Sequence, residues 1–253
     1  ITHLIVMPVP ILMYHAVHER RSMISISPDL FAWQMQWLYE RQFRVRPLRE
    51  VIPLIHSGAS LPPRTIVLTF DDGLTSVYEH AFPIMQRYQF TATIFLISNY
   101  MGQKNNWPSQ PTNIAEFSVM TWEQAQEMQV AGFDFGAHTA THPKLDLISP
   151  EAAVTEIVTS KTVIEERLRQ PVDLFAFPYG RYNQSTLETI RQQFSGACTT
   201  HMDAASKQNH PLELPRFDTF YLQSPTLFRH LTNPLLQQYL KLRGFIRDKR
   251  QHI

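Results

Sequence analysis

Residues 65–73 read Thr-Ile-Val-Leu-Thr-Phe-Asp-Asp-Gly, an apolar run that stops at two adjacent carboxylates and a glycine. A short run apolar at nearly every position is a strand buried on both faces, and such strands belong in parallel sheets covered by helices. The strand delivers whatever follows it to the rim of the sheet or barrel, so Asp71 and Asp72 are aimed at one place. Two carboxylates that close do not both stay ionised in a partly buried site without a cation beside them, and a divalent metal is the commonest answer. The alternative is that Asp71-Asp72-Gly73 is only a turn.

A metal needs further ligands. His138 and His142 enclose Thr139-Ala140-Thr141, and on a helical turn that spacing puts both rings on one face. Two imidazoles and one carboxylate leave coordination positions open to water and substrate, the pattern of a catalytic site. Surface histidines beside Pro143 are the alternative. A third segment, Leu174-Phe175-Ala176-Phe177-Pro178-Tyr179-Gly180, is another short apolar run that ends in a turn.

In this order the three segments resemble the motifs of the NodB-homology polysaccharide deacetylases, carbohydrate esterase family 4, nearest the poly-N-acetylglucosamine deacetylase branch. The likeness runs from about Pro10 to about Phe217. It implies an α/β fold, a distorted (β/α) barrel, and hydrolysis of N-acetyl groups on a β-linked N-acetylglucosamine polymer through a metal-activated water. By resemblance Asp71 is the general base, Asp72, His138 and His142 hold one divalent ion, zinc first and cobalt, nickel or iron as alternatives, and a backbone N–H near Tyr179 stabilises the oxyanion. Tyr179, Pro178 and Tyr14 are expected to line the substrate pocket. The leaving amine needs an acid, and histidine suits that role. Many relatives take it from a late histidine two positions after a leucine, and none is present here; Tyr14-His15, closing the run from Pro10, resembles instead the strand end of the poly-N-acetylglucosamine deacetylase branch, where an early histidine takes this role, so by resemblance His15 is the expected acid. A histidine that merely ends a buried strand is the alternative.

The chain departs from many relatives in two respects. Ala176 stands where they carry an arginine that orients the catalytic aspartate, and Arg216 is the candidate substitute, because a guanidinium fixes a carboxylate bidentately. The tryptophan-bearing fourth motif is also missing after Thr199-Thr200-His201-Met202-Asp203. An O-acetyl esterase of the same fold and a catalytically impaired carbohydrate-binding relative therefore stay open as alternatives.

With 253 residues and 43% hydrophobic content the chain reads as one barrel-sized domain, 1–253, with 1–9 and about 235–253 as peripheral segments. A net charge of +1 gives no reason to expect nucleic acid as a partner. Cys198 is the single cysteine, so there is no internal disulfide. No stretch approaches the length of a transmembrane helix. Ile1–Val6 is too short and uncharged for a signal peptide; a start at Ile rather than Met suits a trimmed product, and export to the periplasm or beyond is the expected location, with the cytoplasm as the alternative. Oligomeric state is not legible.

Capping signals place helices from Ser27-Pro28, from Thr121 with Gln124, and from Ser149-Pro150. Further helices are expected over 45–56, 76–88 with a break at Pro83, and 184–194, and strands over 66–70, 91–97, 133–137, 174–177 and 196–200. Asp134 is expected to be structural or barrel-lining. The polar stretch 98–118 reads as a long loop in which Trp107 either stacks on a sugar or pins the loop down, and the basic tail 241–253 as a solvated helix end.

Overall fold

The computed structural model describes residues 8–59 and 61–251. The expectations for residues 1–7 and for the last two residues lie outside this range. The chain runs β1 (Ile11–Tyr14), β2 (Ala16–Val17), β3 (Ser25–Ile26), α1 (Pro28–Glu40), β4 (Arg44–Val45), α2 (Leu48–Ser57), β5 (Thr65–Phe70), α3 (Phe82–Arg87), β6 (Thr93–Leu96), α4 (Trp122–Val130), β7 (Asp134–Ala137), α5 (Pro150–Leu168), β8 (Leu174–Ala176), α6 (Gln184–Gln193), β9 (Gly196–Cys198), β10 (Phe217–Asp218), α7 (Pro225–Arg229) and α8 (Pro234–Gln251).

The strands form a parallel sheet in the order β10-β1-β5-β6-β7-β8-β9, with β4 alongside β5. Past β9 a parallel bridge joins Cys198 to Leu214, and the Thr199 N–H donates to the Leu214 carbonyl, so the chain approaching β10 bends the sheet round toward a barrel. The three caps read from sequence are present: Ser27, Thr121 and Ser149 each accept from the backbone three residues on, and Thr121 and Gln124 form the reciprocal box.

Strand alternation sorts the side chains into two layers. Ile11, Val67, Phe95, Leu174, Ala176 and Cys198 pack inside the barrel, and Leu48, Val51, Ile52 and Ile55 of α2 plug its lower end. Leu12, Tyr14, Leu68, Phe70, Ile94, Phe135, Phe175 and Phe177 face outward against the helices. Phe95 fills the interior so fully that a Cβ on Gly136 would come within 2.6 Å of its ring. Asp134 starts β7 at this lower end and pairs with Arg49 of α2, the structural role expected of it.

Two expectations are corrected. The helical run does not break at Pro83: residues Val77–Ala81 widen into a π turn, with the Phe82 N–H donating to the Val77 carbonyl, and pass directly into α3 with Pro83 at its second position, so the irregularity the proline demands is taken up in the turn before it. The segment 235–253 is not peripheral either. Leu236 and Leu240 of α8 are buried, and Arg247 reaches the mouth of the barrel, where it donates to the Thr200 carbonyl and faces Asp218. Lys241 pairs with Asp203 at 2.6 Å and Arg243 lies over the Tyr221 ring at 5.3 Å; the expectation for the side chains of Lys249 and Arg250 lies outside the described residues.

Candidate active site

The site is assembled at the upper strand ends. β5 continues its pairing with β1 through the Asp71 N–H, which donates to the Tyr14 carbonyl at 2.9 Å. The chain then turns through Asp72 and Gly73, both left-handed, with φ of 70° and 62°. Aspartate tolerates that conformation because its short side chain bonds locally, and Gly73 takes it freely. A Cβ on Gly73 would also come within 2.7 Å of Leu96. Asp71, like Val67 and Thr69, therefore points inward.

His138 ends β7. The turn after it is not the helical one expected from the spacing: Thr139 and His142 are left-handed, at φ 69° and 61°, and the loop is held by side chains. Glu156 of α5 accepts from the N–H groups of Ala140 and Thr141 and from the Thr141 hydroxyl, and Thr139 Oγ1 accepts from the His142 N–H. Non-glycine residues in this region carry strain of order 1–3 kcal/mol each, which persists only where surrounding bonds over-determine them.

Asp72, His138 and His142 converge. Asp72 Oδ1 lies 3.6 Å from His138 Nε2 and 3.5 Å from His142 Nε2, and the two Nε2 atoms are 3.2 Å apart. The tautomers follow from the partners of the other ring nitrogens. His138 Nδ1 faces the Ala176 carbonyl at 2.7 Å, which only accepts, so Nδ1 carries the proton. His142 Nδ1 faces the Tyr179 hydroxyl at 3.1 Å, whose own proton goes to the Ser109 carbonyl, so this Nδ1 donates too. Both Nε2 atoms then present bare lone pairs to each other and to Asp72 Oδ1, a buried oxygen with no hydrogen-bond partner. Three electron-rich atoms facing one another without a donor are tolerable around a cation, and this donor set fits a divalent metal.

Burial pushes Asp72 above the ordinary carboxylate range despite His15 and His138, and keeps both imidazoles below their ordinary value, His142 well below it. Neutral imidazoles are what a metal requires. Asp71 goes the other way. Burial alone would raise it, but Arg216 more than offsets this and holds it at about 2. Arg216 forks onto Asp71 with both Nη atoms at 2.7 Å, and also reaches Thr69 Oγ1 and the Thr199 carbonyl at 3.1 Å. The fully buried guanidinium lies over the Phe95 ring at 5.6 Å, and Phe95 belongs to the same interior cluster as Ala176 and Cys198. An arginine from the approach to β10 thus holds Asp71, a contact the methyl side chain of Ala176 cannot make.

A cleft of about 340 Å³ exposes Asp71, Asp72, His138 and His142, with His15, Tyr179, Thr200, Asp218, Phe220 and Arg247 around it. His15 is close enough that its charge acts on Asp71, Asp72 and His142.

Residues 58–193 match the family model described as polysaccharide deacetylase. The chain belongs to this family. The Streptococcus pyogenes deacetylase PplD, solved in complex with acetate, superposes with a TM-score of 0.78 at 29% identity, covering 90% of this chain and 99% of that one. IcaB from Ammonifex degensii gives 0.76 at 26% identity, covering 92% and 97%. The poly-β-1,6-N-acetyl-D-glucosamine N-deacetylase of Staphylococcus epidermidis is 27% identical over 66% of this chain and 58% of its own length.

Not every expected residue of this polysaccharide deacetylase faces the cleft. Tyr14 does not: alternation along β1 sends it outward, where its hydroxyl donates to Gln34 of α1 at 2.8 Å and its ring packs on Phe31 and Phe70. His15, one residue on, faces in. Pro178 is buried and absent from the cleft lining; it starts the turn that puts Tyr179 in the left-handed region at φ 58°. Trp107 is buried, not offered to a sugar: its Nε1 donates to the Tyr179 hydroxyl at 3.2 Å and its ring lies 4.6 Å from that of His142. Sequence reasoning missed Thr69, legible from period two as a neighbour of Asp71 on the same face, and Glu156, Asp218 and Arg247, for which no local signal existed.

Proposed function

We propose that this chain hydrolyses N-acetyl groups on a β-linked N-acetylglucosamine polymer, using one divalent ion held by Asp72, His138 and His142. The carrying observation is the convergence of two bare imidazole nitrogens on a buried, unpartnered carboxylate oxygen. When bound, a divalent ion supplies Lewis acidity, polarising an acetyl carbonyl and making water a stronger acid near neutral pH. Zinc suits the donors, and cobalt, nickel or iron accept the same set.

The remaining chemistry belongs to the side chains. Asp71, kept ionised and aimed by Arg216, takes the proton of the water that attacks the acetyl carbon. The Tyr179 N–H, at the turn beside His142, stabilises the oxyanion, an interaction of the kind worth about 3 kcal/mol per donor. His15, across the cleft, gives a proton to the nitrogen as the C–N bond breaks, so that acetate and a free amine leave. The polymer named for the Staphylococcus epidermidis relative supports a polysaccharide substrate here, and because such polymers lie outside the membrane we read an exported enzyme; no helix among the described residues is long and apolar enough to cross a membrane.

The test is acetate release from a panel of acetylated glycans with and without chelator, with free amine measured alongside. Acetate with equal amine, abolished by chelator, is expected. Acetate without amine points to an O-acetyl esterase, and no acetate from any glycan overturns the assignment.

A further inference from the structure

On the reaction proposed above, four groups surround the acyl carbon as water adds to it, and three of them have a place in the cleft. The oxygen turns to the Tyr179 N–H, the entering water stands by Asp71, and the nitrogen leaves toward His15. The fourth, the rest of the acyl chain, is left the part of the lining between β8, which leads to the Tyr179 turn, and β1, which leads to His15. In the strand order that part belongs to β9 and β10. It is lined by Thr200, two residues past β9, and by Asp218 of β10, whose register partner on β1 is Met13. Arg247 of α8 joins them. The seat offered to the acyl chain is therefore polar.

Thr200 is held from both sides. Its Oγ1 takes the space that a Cβ on Gly180 would fill, which sets it against the turn carrying the Tyr179 N–H. Its carbonyl accepts from Arg247, while its hydroxyl makes no hydrogen bond among the described residues. Arg247, only 16% exposed, has its charge matched by Asp218, with Nη1 at 3.3 Å from Oδ2, so an anionic acyl group gains little there. A purely apolar acyl chain leaves the Thr200 hydroxyl facing it unpaired once water is shut out, and a covered hydroxyl without a partner is unfavourable. A short, uncharged acyl chain with a hydroxyl on its α carbon avoids that penalty, because a hydroxyl both donates and accepts.

We propose, resting on the deacetylase reading above, that this cleft takes N-glycolyl as well as N-acetyl groups, with the Thr200 hydroxyl bonding to the hydroxyl on the acyl α carbon. The bonds that change are those of acetyl removal: the oxygen of water joins the carbonyl carbon, the C–N bond breaks, a proton goes to the nitrogen, and glycolate departs from a free amine. The test compares N-acetyl, N-glycolyl and N-propionyl forms of one glucosamine oligomer; glycolyl and propionyl match in size and differ by a hydroxyl in place of a methyl. Release of each acid by the full chain is followed alongside binding of each oligomer to Asp71→Asn by titration calorimetry. Glycolate is expected to appear roughly tenfold faster than propionate, and the glycolyl form to bind more tightly, since one neutral hydrogen bond corresponds to a factor of roughly 2–10. The α-hydroxyl also activates the carbonyl, so the deciding quantity is how the glycolyl-to-propionyl ratio changes with the side chain. Thr200→Val should cut it by at least about threefold in release and in binding, and Thr200→Ser, which keeps the hydroxyl, should preserve it. Glycolate released no faster than propionate, binding without the glycolyl preference, or a ratio that Thr200→Val leaves unchanged would overturn the proposal. No acid from any of the three oligomers, with the preference in binding intact, would count against the hydrolytic reading alone.

Discussion

Asp71 is a far stronger acid than an ordinary aspartate, and one partner leads the effect. Burial works to raise its pKa; the bidentate Arg216, with His138 and His15 adding to it, brings it to about 2 instead. Because the folded value lies below the unfolded one, this pair stabilises the protein fully above about pH 4, and the contribution is lost as pH falls toward 2. Asp71 is therefore ionised throughout the neutral range and sets no acidic limb in the rate profile. Arg216→Met removes the main opposition to burial, so a new acidic limb should appear in the pH dependence of acetate release, with a loss of about 3–5 kcal/mol in stability, as for other broken buried pairs. Denaturant melts and a pH–rate series check both; an unchanged profile would contradict the positioning role. Asp71→Asn keeps the metal ligands intact, so metal content should stay near wild type while turnover falls by about 100-fold or more. Loss of metal in that variant would show the roles of Asp71 and Asp72 to be wrongly divided.

At the scale of elements, the site depends on how three loops brace one another. Trp107 and Ser109, from the long segment after β6, hold Tyr179, which holds Nδ1 of His142. Groups that orient a metal ligand typically matter about 10–100-fold in affinity. Tyr179→Phe should therefore weaken metal binding by about tenfold, read by competition with a chromophoric chelator, while leaving the far-UV spectrum unchanged; wild-type affinity would remove Tyr179 from the metal's support.

These loops also mark where sequence reading stops. The strand before Asp71 was legible because Ile66, Val67, Leu68 and Phe70 are apolar on both faces, and three helix starts because their caps act within one turn. Asp71, Asp72, His138 and His142 were legible through resemblance, and strand alternation brings His15 to the same cleft. The same alternation excludes Tyr14 from it, an exclusion available in the sequence from the single-residue step between Tyr14 and His15. The left-handed backbone at Thr139 and His142 was hidden, since its cause is Glu156, on a helix of its own. Arg247 was hidden likewise: a basic residue in a polar tail carries no local sign that its helix folds back onto the barrel mouth.

For the whole molecule, the barrel separates a dry, plugged lower end from an upper end where strain, buried charge and the catalytic cleft gather. Asp72 sits buried above its ordinary pKa, a cost in the metal-free protein that a cation removes. Binding of an ion to the folded state alone stabilises it by about 2.7 kcal/mol when the free ion is 100 times its Kd. The melting temperature should accordingly rise with zinc in the wild type and stay fixed in Asp72→Ala, and scanning calorimetry reads this directly. The central claim is one catalytic cation shared by Asp72, His138 and His142. Its most direct measurement is acetate release from an N-acetylglucosamine oligomer as metal-stripped protein is titrated with zinc. The account predicts no release at the start and a linear rise that ends at one ion per chain; full activity from the stripped protein would contradict it.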